Sequence, residues 1–172
     1  MWRTIQEPNH AEVKVEYLDE GKVAVVSMNR PKKYNAITFE MFDKIKEVFN
    51  YLGRPGSDVR AIVFTGEGKH FTAGLDLKSA AEMQGLGASG AEKDPARAAL
   101  DFFQVVGPLQ ESVSSLEKVR VPVIAAINGL CIGAGVDLCS AADIRIASKD
   151  AKFTIKEVDI GLAADIGTLQ RF

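Results

Sequence analysis

The sequence predicts an α/β domain, and three observations say so. Short, continuously apolar runs such as "VRAIVFTG" (59–66) and "VPVIAAING" (121–129) have the length and bounding turns of buried parallel strands. Between them lie stretches with apolar residues at helical spacing, and glycine turns connect strand to helix.

Residues 13–29, "VKVEYLDEGKVAVVSMN", alternate and then run apolar around Glu20-Gly21, which predicts two strands joined by a tight turn. "RPKKYNAIT" reads as a loop entered by proline. Thr38 stands where an N-cap belongs, ahead of a helix with Phe42, Ile45, Phe49 and Leu52 on one face. Gly53, Pro55 and Gly56 end that helix. The strand 59–66 follows, and then "HFTAGLDL" is a loop entering a helix. Over 79–95 the composition shifts to Ala, Gly, Ser and charge, the pattern of a flexible loop. Residues 99–116 predict a helix with Leu100, Phe103, Val106 and Leu109 on its apolar side, kinked or interrupted by Pro108. "VPVIAAING" is a second buried strand, and "LCIGAGVDLCSAADIRIAS" is a glycine turn, a helix and a further strand. With 172 residues, no repeat and no linker, the chain is expected to form one domain over 1–172.

Several functional classes are disfavoured by composition. A net charge of −2 without a basic block argues against nucleic acid or an anionic membrane as partner. No apolar run approaches the ~20 residues of a membrane span, and "MWRTIQEPNH" lacks the apolar core of a signal peptide. Cys131 and Cys139 read as packed thiols of a reducing compartment rather than a disulfide. The two histidines, His10 and His70, are too few and too far apart for a His-rich metal site, so no metal is expected. Nucleophilic catalysis would rest on His70 alone, with no G-x-S-x-G beside it. Acid–base work therefore falls to carboxylates.

Two glycine turns share one design. Ala73-Gly74-Leu75 and Gly133-Ala134-Gly135 each follow a buried strand and precede a helical stretch. Glycines permit close backbone approach, and two opposed N–H groups could hold an oxyanion; tight strand-to-helix turns are the plainer alternative. Nucleotide-binding loops fit poorly. Lys69 lacks the Ser/Thr of a phosphate loop, and Gly133-x-Gly135 lacks a third glycine.

Three acids have apolar or glycine neighbours: Asp137, then Glu157 twenty residues on, then Asp165 after eight more. Asp143, Asp150 and Asp159 read as caps, turns or solvated partners. Close carboxyls split their pKa values into a base and an acid, which suits moving a proton between carbons. Alternatively, Asp165 caps a helix near Gly167 and Glu157 pairs with Lys156 or Lys152. Spacing alone leaves both readings open.

"NRPKKYNAIT", "FTAGLDL", "PVIAAINGLCIGAGVDLCSAADIRIAS" and "FTIKEVDIGLAADIGTLQR" together resemble the crotonase, or enoyl-CoA hydratase/isomerase, superfamily. The resemblance implies ββα turns wound in a spiral. It implies an acyl-coenzyme A thioester as substrate, with no separate cofactor. Carried over by motif, the oxyanion donors are the N–H groups of Leu75 and Ala134. Ala73, Gly74, Leu75, Asp76, Leu77 and Ala134 would line the bound substrate, with the 79–95 loop flanking the acyl pocket. Alanine at 134 is a departure, since the family usually has glycine there.

The acids resemble one branch in particular. Hydratases carry glutamates at the positions of Asp137 and Glu157, and glycine where Asp165 stands. The set here is similar to Δ3,5-Δ2,4-dienoyl-CoA isomerases, which act in unsaturated fatty acid β-oxidation. That likeness implies Asp165 as the base at C2, Glu157 as the acid at C6, and Asp137 near the diene. A 2-enoyl-CoA hydratase and a non-catalytic acyl-CoA-binding paralogue are the alternatives. Family members continue into a C-terminal helical region that completes pocket and trimer; this region is expected to be missing from a chain ending at Phe172. A homotrimer or hexamer in the mitochondrial matrix or the peroxisome is the implied setting of the full-length protein.

Overall fold

A computed structural model describes residue 8, residues 10–79 and residues 94–172. Strands β1 (Val13–Leu18) and β2 (Val23–Met28) pair antiparallel, from Val13 opposite Met28 to Leu18 opposite Val23. The turn between them carries positive φ at Asp19, Glu20 and Gly21. Helix α1 (Phe39–Leu52) starts where the Thr38 hydroxyl accepts from the Met41 N–H at 3.2 Å. It buries Met41, Phe42, Ile45, Val48, Phe49 and Leu52 on the sheet side and ends at Gly53.

From β2 onward the main sheet is parallel. Strand β3 (Ala61–Gly66) pairs with β2, strand β4 (Val123–Ile127) with β3, and β6 (Ile144–Ala147) with β4. The order is β1-β2-β3-β4-β6. A smaller layer forms beside it, where β5 (Leu130–Ile132) pairs in parallel with β7 (Lys152–Thr154). Single bridges continue that layer, Ile37 to Leu75 and Thr72 to Cys131. Each circuit of the chain thus supplies one strand to the large sheet, one extended step to the small layer, and then a helix. This is the spiral of ββα units that the family resemblance implies.

The core sits between α1 and the large sheet. Phe64 on β3 meets Phe49 of α1 edge-on at 5.6 Å and Phe71 at 5.5 Å. Such pairs add about 0.5–1.5 kcal/mol each beyond burial. Phe71 thereby anchors the start of the loop that follows β3. Asn35 holds the same loop from the other side. Fully buried at φ 54°, it accepts from the Arg30 N–H at 2.8 Å and donates to the carbonyls of Glu67 and His70 at 2.9 and 2.7 Å.

Two expectations need correction. The long helix α2 (Pro95–Lys118) starts earlier than 99 and runs through Pro108 without interruption. A proline in a helix interior costs about 3 kcal/mol, which burial of Leu109, Val113 and Leu116 beyond it offsets. Leu100 and Phe103 are 63% and 72% exposed rather than core. Helical spacing places them on one face, but no described residue covers that half of it. The flexible loop expected over 79–95 lies, apart from its ends, outside the described residues.

Cys131 and Cys139 are buried and free, with their sulfurs 3.9 Å apart, well beyond the ~2.05 Å of a disulfide. His10 meets Glu47 at 3.0 Å, and the His70 ring accepts from the Leu130 N–H at 3.2 Å. Both histidines are engaged in packing the fold. Among the described residues no group of His, Cys, Asp and Glu could hold a metal ion, and no helix is long and apolar enough to cross a membrane.

Candidate active site

The first glycine turn is fixed almost atom by atom. Phe71 N–H donates to Asn128 at 2.7 Å, Thr72 to Leu130 at 2.9 Å, Ala73 to Tyr34 at 2.9 Å, and Asp76 to Ile37 at 2.8 Å. Gly74 N–H donates to the Thr72 hydroxyl at 3.0 Å, and that hydroxyl donates to the Asn35 carbonyl at 2.7 Å. Within 71–76 only the Leu75 N–H has no acceptor among the described residues. The other donors of this pinned loop are paired, so the open one at partly buried Leu75 is conspicuous. The Asp76 carboxylate is engaged in a part-buried ion pair with Arg30 at 3.0 Å, and Leu77 is exposed where the helical turn begins.

Opposite lies the second turn. Gly133 donates to the Thr154 carbonyl at 2.8 Å and has φ 51°, after which helix α3 (Ala134–Ser140) begins. The N–H groups of Ala134 and Gly135, in the first turn of α3, lack acceptors among the described residues, as helix starts do. The two turns touch. A methyl placed on Gly74 would lie 2.7 Å from the Ile132 oxygen and 3.8 Å from the Ala134 nitrogen. Leu75 and Ala134 therefore belong to one small region, each presenting an uncommitted N–H. The Ala134 side chain is buried with the core.

The three acids gather around this point. Asp137 sits one turn into α3 and is fully buried. Its Oδ1 accepts from the Thr168 N–H at 2.6 Å and the Thr168 hydroxyl at 2.7 Å, while Oδ2 has no partner. Glu157 opens the short 3-10 turn after β7, and its buried Oε2 is also without a partner. Its Oε1 would be 3.0 Å from a Cβ on Gly133, so glycine there makes room for the carboxyl. Asp165 is half-buried, and its carbonyl accepts from the Gln110 side chain at 2.8 Å.

Burial pushes the Asp137 carboxyl up from the usual range; the Thr168 bonds oppose this, the Asp165 charge adds to it, and Arg171 opposes it. Burial likewise raises Glu157, with Asp137 and Asp165 adding to the effect. Asp137 and Glu157 are thus both raised, and the Asp165 charge contributes to each. No lysine neutralises Glu157 among the described residues; Lys156 pairs with Asp159 instead. Asp143 and Asp150 serve locally, accepting from the Val123 N–H and the Ser148 hydroxyl at 2.8 and 2.7 Å.

The turn at 168 is held by Asp137, not by Asp165 as the plainer sequence reading has it. Thr168 gives no signal in the sequence, because it lies 31 residues from its partner in a run of ordinary composition.

A family model described as enoyl-CoA hydratase/isomerase matches residues 19–172. The chain belongs to this family. Among curated members, it is 42% identical over 152 residues to the peroxisomal Δ3,5-Δ2,4-dienoyl-CoA isomerase of Arabidopsis thaliana. It is 47% identical over 148 residues to the mitochondrial one of Mus musculus. Those matches cover 88% and 85% of this chain but 54% and 43% of the relatives, so the chain spans about half their length. A Thermobifida fusca protein solved in complex with acetoacetyl-CoA superposes with a TM-score of 0.75 at 29% identity, over 96% of this chain and 64% of that one.

Burial of the Asp137 carboxyl makes stability depend on pH. A carboxyl whose folded pKa lies above its unfolded one binds protons more tightly when folded, so its contribution to stability falls as pH rises between the two. An amide in place of the Asp137 carboxyl would keep an oxygen for both Thr168 donors and would not titrate. Asp137→Asn is expected to match the wild type below about pH 4 and to be the more stable of the two at neutral pH. Urea midpoints across pH check this, and a variant less stable at pH 7 than at pH 4 relative to wild type refutes it.

Proposed function

We propose that the intact protein converts 3,5-dienoyl-CoA into 2,4-dienoyl-CoA. The observation that carries this reading is three neighbouring acids, two of them raised chiefly by burial, beside two uncommitted N–H groups. The names of the relatives, dienoyl-CoA isomerases, support the same reaction.

In this reading the N–H groups of Leu75 and Ala134 receive the thioester oxygen. Ala73, Gly74, Asp76 and Leu77 shape the strand of backbone along which the acyl group lies. Asp165 takes a proton from C2. The C2–H electrons form C2=C3, the C3=C4 pair moves to C4=C5, and the C5=C6 pair takes a proton at C6 from Glu157. Proton exchange with solvent resets the two acids. A raised Glu157 suits the acid role, since it must hold a proton near neutral pH. No further cofactor enters these steps. The exposed apolar side chains Ile144 and Ile146 on β6 and Phe153 on β7 support burial against further protein, as in a homotrimer or hexamer. Mitochondrial and peroxisomal relatives support either compartment.

The test is a spectrophotometric assay of the intact protein with 3,5-dienoyl-CoA, following the absorbance of the conjugated product. Turnover is expected. A folded protein that binds acyl-CoA without converting the diene is instead a binding paralogue, and hydration of crotonyl-CoA insensitive to Asp165→Ala identifies a hydratase.

A further inference from the structure

The bonding of Asp137 is lopsided. Both donors of Thr168 fall on Oδ1, and Oδ2, equally buried, has none. An ionised carboxylate has two equivalent oxygens, and leaving one bare inside the protein is costly. A carboxylic acid, by contrast, has one carbonyl oxygen that accepts and one hydroxyl that donates. With Oδ1 as carbonyl and Oδ2 as hydroxyl, the acid leaves only an uncharged group unpaired at Oδ2, a smaller cost than a bare ionised oxygen.

We infer that Thr168 is a positioning residue that holds Asp137 as an oriented neutral acid, its proton on Oδ2 and available as a hydrogen-bond donor within the site. The inference rests on the isomerase reading for its role in turnover. Removing a proton from C2 leaves an anion spread over the thioester oxygen and C2, C4 and C6. Glu157 and Asp165, the proposed proton donor and acceptor, both interact with Asp137, so that anion forms within its field. A carboxylate at Asp137 would repel the developing charge. An O–H dipole fixed in direction attracts it without reorganising.

The groups that act on Asp137 are consistent with neutrality. Asp165 and Glu157 are acids, and a second negative charge beside them is disfavoured. Arg171 is the cation that acts on it, but its guanidinium is committed to Glu117, Ser114 and the Gly167 carbonyl. The nearby thiols of Cys131 and Cys139 bond to one another and to the Val136 carbonyl rather than to Asp137. Burial raises the carboxyl in the same direction. No bond at Asp137 forms or breaks in turnover; its proton stays where Thr168 has placed it.

Infrared spectroscopy and kinetics on the intact protein test this together. At neutral pH the wild type should show a carboxylic-acid carbonyl stretch that Asp137→Asn removes. Thr168→Val keeps the backbone N–H on Oδ1 and deletes the hydroxyl, so the band should persist and move to higher frequency. The same variant should lose about three- to tenfold in kcat with KM little changed, one side-chain hydrogen bond's worth. Thr168→Ser, which keeps both donors, should restore band position and kcat. The inference fails if Asp137→Asn removes no acid band, if Thr168→Val leaves the band and kcat at wild-type values, or if serine does not rescue. A band that behaves as stated in a wild type that does not isomerise the diene would leave the oriented acid standing and overturn only its role in this reaction.

Discussion

Asp165→Asn in the intact protein is expected to lower kcat for 3,5-dienoyl-CoA by about a thousandfold or more while KM changes by less than about threefold. Asparagine has the same shape but cannot take a proton. The Gln110 bond that holds this segment goes to the backbone carbonyl of Asp165, so the substitution leaves it intact. Binding should survive and chemistry should not. Deuterium exchange separates the two acids: with Glu157→Gln the C2 hydrogen still washes out into solvent, and with Asp165→Asn it does not. Exchange at wild-type rate in Asp165→Asn would show that another group removes the C2 proton.

Gly74→Ala should be nearly as damaging by another route. The residue has φ 88°, and its added methyl would meet the Ile132 carbonyl at 2.7 Å, a backbone atom that cannot step aside. The two glycine turns would have to part, and with them the N–H groups of Leu75 and Ala134. Losing one well-placed oxyanion donor costs about a hundredfold or more in kcat, and the strained backbone about 1–3 kcal/mol in stability. Paired measurements of kcat and denaturant midpoint distinguish the variants, because Asp165→Asn should barely move the midpoint. An active Gly74→Ala protein of wild-type stability would remove the oxyanion site from this place.

What can be read from the chain follows how local each signal is. Thr38 and the apolar face of α1 lie within a few residues of what they determine, and both stand where the spacing puts them. The glycine turns also stand where expected, since their backbone conformation is demanded by the turn itself. Strand β5 is not legible as a strand, because three residues, Leu130 to Ile132, carry no period. Leu100 and Phe103 show the limit of helical spacing, which reports a shared face and says nothing about what covers it. The acids are legible as a set, from their apolar neighbours and the family motif. Their supports are not. Asp137 to Thr168, Gln110 to Asp165 and Arg30 to Asp76 all join residues far apart in sequence, and each exists only after folding.

The Asp137–Thr168 contact also bears on how such a site can diverge. The stretch from 161 to 172 has no regular secondary structure and is tied down by side-chain bonds from α2 and α3. Asp137 is one of those ties, only three positions from Thr168 to Asp165 along the chain. A lineage that replaced Asp137 by a residue offering no oxygen to Thr168 would loosen the seat of Asp165 in the same step, so the two acids are not independent characters. Trading this chemistry for another on the same scaffold would require both to change, or a third substitution to refasten the loop first.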